Sequence, residues 1–476
     1  MATDRAVETR RLWLETLARF KTDPDRPGSE AYWSPALDTA SRDTLTAIQN
    51  AKLAAVVPFL YENSAFYRRR FERLGMTPDD IRTIEDLERW PVVDKEEMAE
   101  DAAAHPPYGT YTAMDDALWA KRGWMMFSTS GSTGVPRVFR YSQIDREYWA
   151  WANARALHAM GLRPADTVFM VSGYGPHVWA WGVQVALAKM NVAVIPGGGM
   201  DGRMRAGIVE RFRPTVIACT PSYALYLGRV LQETGIDPGT CGVKTLFVGG
   251  EPAMGIGNTR HRIEELWQAR MVEFYGCTEA APHTGGYSCA ANPTGDEGVF
   301  THLMEDVGYW ELVDPETRTR LPIGARGLTV CTNLNSESSP QLRFLVGDYT
   351  VLDDGVCACG RTHVRAMGSF AGRADDLINI RGINLYPVQI EQGVRAVPGL
   401  GDEYEVVLST NEDGLDVVDI RVEHDAHERP DAIAARVAEE VTARCEIRVG
   451  VTVLPPGTLP KTQFKAKRVI EKRNQS

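Results

Sequence analysis

The chain has 476 residues and a formal net charge of −11, with 44% apolar and 24% charged residues. This composition is ordinary for a globular protein of two or three domains, and the acidic balance argues against a protein that lives on nucleic acid or an anionic membrane. We expect a cytoplasmic protein with reduced thiols, because the N-terminus lacks a signal-peptide core, no apolar run reaches the ~18 residues of a membrane span, and eight cysteines are too few for a disulfide scaffold.

The first part of the chain is rich in predicted helices. Residues 41–75 continue a helical pattern for which Ser41 is a candidate N-cap. The segment before it, "RAVETRRLWLETLARF", places five apolar side chains near helical spacing. They are Val7, Leu12, Leu14, Leu17 and Phe20.

The stretch "FSTSGSTGVPR", residues 127–137, lies between a predicted strand and a predicted helix. Small residues let backbone N–H groups converge on an anion, and glycines permit tight turns. Hydroxyl donors and one cation complete a candidate phosphate loop. Its residues are Ser130, Gly131, Ser132, Thr133, Gly134 and Arg137. It is not a Walker A loop, since no Gly-Lys-Ser/Thr ends it. On composition alone, a solvated turn remains the alternative.

From about residue 165 the pattern changes to alternating short β-rich runs and helical runs, from "DTVFMVS" to "VKTLFVGG". This alternation predicts an α/β fold with a mainly parallel sheet. After about residue 295 the chain becomes β-rich. The tail from Asp375 alternates again and predicts a small α+β domain of about 100 residues.

A later motif carries groups suited to a nucleotide. "EFYGCTEAA", residues 273–281, supplies an aromatic ring for adenine, a hydroxyl for the α-phosphate and a carboxylate for Mg²⁺. Those roles fall on Tyr275, Thr278 and Glu279, with Gly276 between them. The alternative is a strand end followed by a capped turn.

Together these motifs resemble the adenylate-forming, or acyl-activating, superfamily, whose phosphate loop is written S-G-T-T-G-x-P-K. Arg137 stands where that family has lysine. The resemblance implies that the loop covers the β- and γ-phosphates of ATP. It also implies that "VGGEP", with Gly249, Gly250 and Glu251, lies against adenine and the acyl pocket.

The same resemblance extends to the end of the chain. "VGDYT" carries Asp348, which would hold the ribose hydroxyls, and "GRADDLINIRGINLYP" resembles the family's hinge motif. Arg373 would contact ribose and phosphate, and Asp375 would be the hinge. In "LPKTQFKAKRV", Lys465 would neutralise charge at the carboxylate and α-phosphate. Phe464 departs from the glycine that usually precedes this lysine.

The implied organisation is a large N-terminal domain with mainly parallel sheets and a β-rich subdomain, followed by a small mobile α+β domain. We place the adenylation domain at residues 1–373 and the mobile domain at 374–476.

The segment at residues 64–98 looks like the phenylacetate–CoA ligase branch. "THLMEDV" and "CACGRTH" resemble that branch's H-x-x-E-D and C-x-C-G-R elements, and the branch suggests a metal. Three thiolates and an imidazole form a closed tetrahedral set for structural Zn²⁺, in a subdomain at about residues 285–365. The implied ligands are Cys289, His302, Cys357 and Cys359. His363 and Cys277 are less favoured, and four unrelated residues remain the alternative.

The acyl pocket is expected near "SGYGPHVWAWG", residues 172–182. Tyr174, Trp179 and Trp181 offer aromatic walls, which favour a planar substrate, although the two tryptophans are equally consistent with core packing beside a helix start. We favour His177 as the residue that borders the substrate carboxylate.

The resulting hypothesis is an ATP- and Mg²⁺-dependent ligase that converts an aromatic acid to an acyl-adenylate and then to a coenzyme A thioester, with a homodimer implied by the branch. Phe464 keeps other acceptors open: a carrier-protein thiol, or nitrite activation and diazotisation of an aryl amine. A non-catalytic nucleotide-binding protein is a third alternative, against which Lys465, Glu279 and Asp348 together speak.

Overall fold

The computed structural model describes residues 4–22, 26–129, 136–293, 298–370, 372, 378–380, 383–411, 416–424, 429–445, 447–461 and 468–473. The chain forms two compact units. The first comprises residues 1–198, 274–294 and 298–368, and the second comprises residues 199–273, 295–297 and 369–476. The expected domain boundary at residue 373 stays a prediction.

The first unit contains eight α-helices among its described residues. They are α1 (Asp4–Phe20), α2 (Pro35–Asp38), α3 (Arg42–Asn63), α4 (Ala65–Leu74), α5 (Lys95–Ala104), α6 (Asp116–Arg122), α7 (Gln143–Ala159) and α8 (Val178–Lys189). Two short 3₁₀-helices, Pro78–Asp80 and Asp86–Arg89, lie between α4 and α5. The helices of the second unit are α9 (Gly202–Phe212), α10 (Pro221–Glu233), α11 (Gly257–Trp267), α12 (Pro387–Arg395) and α13 (Pro430–Cys445).

The strands follow in chain order. They are β1 (Gly123–Ser128), β2 (Val138–Ser142), β3 (Thr167–Met170), β4 (Ala193–Pro196), β5 (Val216–Cys219), β6 (Thr245–Gly249), β7 (Arg270–Cys277), β8 (Ala281–Tyr287), β9 (Phe300–Leu303), β10 (Gly308–Val313), β11 (Arg326–Asn333), β12 (Phe344–Asp353), β13 (Arg365–Met367), β14 (Ile378–Ile380), β15 (Ile383–Leu385), β16 (Leu400–Thr410), β17 (Asp416–His424), β18 (Gly450–Leu454) and β19 (Val469–Glu471).

The N-terminal helices confirm the predicted elements and correct their details. Ser41 caps α3 by accepting a hydrogen bond from the Thr44 amide. The long helical pattern breaks at Ser64, whose extended backbone ends α3 and whose side chain caps α4. The predicted apolar face of α1 is partly wrong.

On α1, Val7 and Leu12 are 58% and 44% exposed, whereas Trp13 and Leu17 are fully buried. The buried face is fixed by Trp13, which stacks on Phe59 of α3 at 6.4 Å between ring centroids. Its indole N–H also donates to the carbonyl oxygen of Ser336, at 2.8 Å. One large side chain with two partners therefore decides which side of the helix is buried.

The predicted alternation of strands and helices is present from β3 to α11. Strands β3 and β4 pair in parallel in the first unit, and β5 and β6 pair in parallel in the second. The β-rich part of the first unit is antiparallel, in the order β10-β11-β12-β13-β9-β8-β7. The expected α/β fold class, with parallel and mixed sheets, is confirmed.

The C-terminal part of the second unit is an α+β arrangement with its own core. Strands β18-β17-β16-β19 form one mixed sheet, and β14 and β15 form a hairpin. The core cluster takes its buried residues from positions 378–447, including Leu400 and Val406 of β16 and Val437 of α13. Among the described residues, no helix is both long and apolar enough to cross a membrane.

Candidate active site

Strands β1 and β2 bring together the two ends of the predicted phosphate loop. Ser128 pairs with Val138 in antiparallel register. One step further, the Thr129 amide donates to the carbonyl oxygen of Arg137 at 3.0 Å, and the Arg137 amide donates to Thr129 Oγ1 at 3.1 Å. Residues 130–135 of the loop lie outside the described residues. The hairpin thus fixes where the loop begins and ends.

Arg137, at the end of the loop, forms a buried ion pair with Glu279. Nη2 of the arginine donates to Oε1 of the glutamate at 2.8 Å, and both side chains are less than a tenth exposed. These are the residues expected to contact phosphate and Mg²⁺. The structure therefore brings the loop and the Y-G-x-T-E motif together, and Arg137 compensates the charge that a metal ion would otherwise balance.

The other residues of the Y-G-x-T-E motif lie at the end of β7 and directly after it. Tyr275 donates its hydroxyl to Oδ2 of Asp348 on β12, at 2.6 Å. Burial, together with the adjacent Asp348 carboxylate, raises the pKa of Tyr275 well above its ordinary value, so the phenol stays a donor. Gly276 is exposed, and Thr278 is half-buried with its carbonyl oxygen bound by the Tyr141 hydroxyl at 3.0 Å. The predicted adenine and ribose residues are thus neighbours.

The predicted acyl-pocket residues surround the start of α8. His177 is the N-cap residue of that helix and is half-buried. Tyr174 contacts Trp181 edge to face at 5.0 Å, and its hydroxyl donates to Gln184 Oε1 at 2.8 Å. The amide of Ser128 donates to the carbonyl oxygen of Pro176 at 2.9 Å. The aromatic segment therefore lies beside the strand that leads into the phosphate loop.

The second unit carries the predicted residues of the "VGGEP" motif at the carboxyl end of β6. Gly250 has φ = +84°, a backbone conformation that residues other than glycine rarely adopt. Glu251 is half-buried and accepts hydrogen bonds from Ser222 at the start of α10, from its amide at 3.1 Å and from its hydroxyl at 2.9 Å. Gly249 ends β6. The carboxyl ends of parallel strands are where α/β sheets bind ligands.

The four predicted zinc ligands form one cluster in the first unit. Their donor atoms all lie within 4.8 Å of one another. The Sγ atoms of Cys289 and Cys357 are 3.9 Å apart, and Sγ of Cys359 is 3.6 Å from Nε2 of His302. A tetrahedron with Zn–S and Zn–N bonds of normal length has edges of about 3.8 Å between two sulfurs and about 3.6 Å between sulfur and nitrogen. The donor set fits Zn²⁺.

Hydrogen bonding within the cluster prepares it for a cation. Nδ1 of His302 lies 3.2 Å from the carbonyl oxygen of His363, so donation there leaves Nε2 free for a metal. Hydrogen bonds to the other two thiols raise the pKa of Cys289, and the hydrogen bond from Cys289 holds the pKa of Cys359 well below its ordinary value. The thiols thus share protons that a divalent cation would displace.

The cluster is held by buried hydrogen bonds and ion pairs from the H-x-x-E-D element. Glu305 accepts the Val364 amide at 2.7 Å, and its amide donates to Nδ1 of His363 at 3.1 Å. Arg155 of α7 donates to the two oxygens of Asp306 at 2.7 and 3.0 Å. Although burial alone would raise it, this guanidinium holds the pKa of Asp306 well below its ordinary value. Arg155 also binds Asp38 of α2.

Sequence reasoning missed a second buried polar centre, around Glu337. This carboxylate is fully buried and is bound by Ser142 at 2.7 Å, by Arg10 at 3.5 Å and by Arg122. Burial and the nearby Asp145 raise its pKa. The one sequence signal was indirect: "NSESSPQ" is polar although it lies between β-rich runs. Polar residues buried there are held by partners that are distant in sequence.

Several predicted residues lie outside the described part of the chain, and their roles stay predictions. They are Ser130, Gly131, Ser132, Thr133, Gly134, Arg373, Asp375, Phe464 and Lys465.

Two family models match the chain. The model described as AMP-binding enzyme matches residues 47–332, and the model described as AMP-binding enzyme C-terminal domain matches residues 382–473. The first match alone spans more than half of the sequence.

The chain is also similar to whole proteins. It is 32% identical over 461 residues to a phenylacetate–coenzyme A ligase of Thermus thermophilus, covering 93% of this chain and 99% of that protein. A solved 2-hydroxyisobutyryl-CoA ligase in the postadenylation state, in complex with 2-HIB-AMP, matches with a TM-score of 0.86 at 29% identity, covering 96% and 95% of the two chains. The same ligase in the thioesterification state, with CoA, matches with a TM-score of 0.70 over the same shares.

Proposed function

The chain belongs to the AMP-binding enzyme family and is an AMP-forming acid–CoA ligase, and we propose that its acid substrate is aromatic. The reaction has two steps. The acid's carboxylate attacks the α-phosphorus of ATP and releases pyrophosphate, and the thiol of coenzyme A then attacks the acyl carbon and releases AMP. AMP is a far better leaving group than oxide, which is why the acid is first adenylated.

The aromatic substrate is supported by the side chains around the start of α8. Tyr174 and Trp181 form an edge-to-face pair, and Trp179 and His177 are half-buried beside them. Rings at these positions offer edge and face contacts to a planar acyl group. The Thermus thermophilus protein to which this chain is 32% identical is a phenylacetate–coenzyme A ligase. His177 is proposed to border the substrate carboxylate.

The nucleotide is proposed to lie between the phosphate loop and β12. Asp348 would accept the ribose hydroxyls, with its Oδ2 already oriented by the 2.6 Å hydrogen bond from Tyr275. The Tyr275 ring would contact adenine, with Gly249, Gly250 and Glu251 as the other nucleotide-binding residues. Thr278 would meet the α-phosphate. The loop residues from Ser130 to Gly134 would donate to phosphate oxygens.

Glu279 is the proposed ligand for Mg²⁺, which when bound neutralises charge on the phosphate oxygens. In the ion pair with Arg137 the same carboxylate is satisfied by a guanidinium. When Mg²⁺ binds Glu279, Arg137 would be released from the ion pair. Because Arg137 lies at the end of the phosphate loop, it could then bind the pyrophosphate end of ATP. Lys465 is proposed to act as the adenylation lysine, Arg373 to contact ribose and phosphate, and Asp375 to be the hinge.

We further propose that Cys289, His302, Cys357 and Cys359 hold a structural zinc ion. The donor spacing, the burial of three of the four residues and the oriented His302 ring support this assignment. With four protein donors the site is closed, so it contributes stability rather than catalysis.

The aromatic assignment is tested by comparing acids. Phenylacetate and ring-substituted benzoates are assayed against 2-hydroxyisobutyrate and other aliphatic acids, with ATP, Mg²⁺ and coenzyme A, by the rate of AMP release. We expect kcat/KM for the best aryl acid to exceed that for every aliphatic acid by about a hundredfold, as a stacked and desolvated ring contributes a few kcal/mol. Equal or higher values for an aliphatic acid contradict the proposal.

A further inference from the structure

Two adjacent acidic residues at the start of β16, Asp402 and Glu403, form ion pairs with arginines from two helices of the same unit. Arg229 of α10 contacts both of them, with Nε 3.1 Å from Oδ2 of Asp402 and Nη2 3.4 Å from Oε1 of Glu403. Arg262 of α11 pairs with Oδ1 of Asp402. The two carboxylates are 11% and 6% exposed and the arginines 26% and 32%, so the pairs are partly shielded from solvent and from salt.

These ion pairs join two parts of the second unit that are separate in sequence. The C-terminal core cluster is built from residues 378–447, whereas α10 and α11 lie at residues 221–267. Two further polar contacts join the same two parts. Thr259 of α11 donates to Glu391 of α12 at 3.2 Å, and Lys461 lies 3.2 Å from Glu233 of α10. Such charged contacts can separate and be solvated without opening a core.

The acidic pair is also bound from its own side. Arg395 of α12 donates to the carbonyl oxygen of Asp402 at 2.7 Å, and Nη1 of Arg468 lies 3.3 Å from Oε2 of Glu403. The Arg468 guanidinium lies 4.3 Å from the centre of the Tyr404 ring. Glu403 therefore has an arginine partner, Arg468, besides Arg229, and the backbone of Asp402 is held by Arg395. That arrangement suits a contact that is made and broken repeatedly.

The two states of the 2-hydroxyisobutyryl-CoA ligase give this contact a role. At the same 29% identity, the chain matches the postadenylation state with a TM-score of 0.86 and the thioesterification state with 0.70. The chain therefore resembles the state that precedes thioester formation, and the ion pairs are present in that state. A contact specific to one state biases the equilibrium between the two.

We propose that Arg229 and Arg262 are positioning residues for adenylation, which hold the Asp402–Glu403 pair and release it for thioester formation. This inference rests on the proposed two-step function. It predicts that weakening the Arg–carboxylate ion pairs slows adenylation but not transfer to coenzyme A, because in this proposal the transfer step takes place with the pairs broken.

The test is a double-mutant cycle with R262M and D402N, and with R444M as the matched control. Arg444 pairs with Glu440 four residues earlier within the exposed part of α13, so its pair joins no separate segments. The first half-reaction is measured as acid-dependent exchange of pyrophosphate into ATP. The second is measured as single-turnover transfer from preformed acyl-adenylate to coenzyme A.

We expect R262M and D402N each to slow pyrophosphate exchange about tenfold, and the double variant to be no slower than the slower single one, as for two residues that share one interaction. Transfer to coenzyme A stays unchanged or becomes faster, and R444M changes neither rate. Equal losses in both half-reactions, or losses that multiply in the double variant, overturn the proposal.

A second measurement needs no substrate. Backbone amide exchange at residues 257–267 and 400–404 is followed in the wild type and in the same three variants. Faster exchange in R262M and D402N, but not in R444M, is expected, and unchanged exchange at both segments overturns the proposed contact. Wild-type protein that is inactive with every acid contradicts the proposed function, whereas amide exchange still decides the contact.

Discussion

Replacing one cysteine of the four-residue Cys/His cluster tests the proposed zinc site most sharply. Cys357 is 3% exposed, and its Sγ lies 3.9 Å from Sγ of Cys289, within about 0.1 Å of the sulfur–sulfur edge of a zinc tetrahedron. Because two of the donor–donor distances already match a zinc tetrahedron and all four donor atoms lie within 4.8 Å of one another, the folded protein needs only small side-chain shifts to bind Zn²⁺. We expect one zinc ion per wild-type chain and none in C357S.

The magnitude follows from mass action. With free zinc a thousandfold above its dissociation constant, occupancy stabilises the folded chain by about 4 kcal/mol. C357S, or chelation of the wild type, should therefore lower the free energy of unfolding of the first unit by about that amount. The change should appear in the unfolding of the first unit, because all four donors lie there, between residues 289 and 359.

The assay is elemental analysis of purified protein together with urea unfolding, with and without added Zn²⁺. The matched control is C445S, since Cys445 is also buried but belongs to the C-terminal core cluster of the second unit. C445S should retain one zinc ion. A C357S protein that still holds one zinc ion, or a wild type that neither contains nor takes up zinc, refutes the reasoning from donor spacing.

Three further outcomes are expected. R155M should cost about 3–5 kcal/mol of unfolding free energy in urea, because it leaves two buried carboxylates uncompensated; a loss below about 1 kcal/mol contradicts this. Burial lowers the pKa of Lys52 to about 8. Above that pH the folded chain loses the Lys52 proton, whereas the unfolded chain, in which the lysine is exposed, still binds it. Wild-type stability should then rise between pH 8 and pH 10 relative to K52M, by up to about 1.4 kcal/mol per pH unit, and parallel urea midpoints would refute it. R137M should lower kcat/KM for ATP about a hundredfold in pyrophosphate exchange, since a charge-assisted phosphate contact is lost, whereas R137K should retain most activity; equal rates for all three proteins would count against the role.

The fold class was predictable because its signals are local. Alternating β-rich and helical runs predicted β3 to α11, and the Ser41 cap predicted the start of α3. The motifs also singled out residues that the structure places together: Tyr275 contacts Asp348, and the four candidate zinc ligands form one cluster. In each case short runs of characteristic residue types carried the information.

The buried charges were not predictable, because their partners are distant in sequence. Arg155 lies in an alanine-rich helix whose residues from Tyr148 to Ala159 are all buried, and it is neutralised by carboxylates from α2 and from the segment after β9. Helical spacing on α1 likewise favoured Val7 and Leu12, yet burial follows the partners available to Trp13. Periodicity shows that a helix has a buried side, and tertiary contacts decide which side it is.

The most direct test of the central claim follows an oxygen atom. Wild-type protein is given ATP, Mg²⁺, coenzyme A and phenylacetate labelled with ¹⁸O in its carboxylate, and the products are analysed by mass spectrometry. Attack of the carboxylate on the α-phosphorus, followed by thiol attack on the acyl carbon, transfers one labelled oxygen to each AMP formed with each thioester. Unlabelled AMP, or label in ADP or inorganic phosphate, would contradict an acyl-adenylate intermediate.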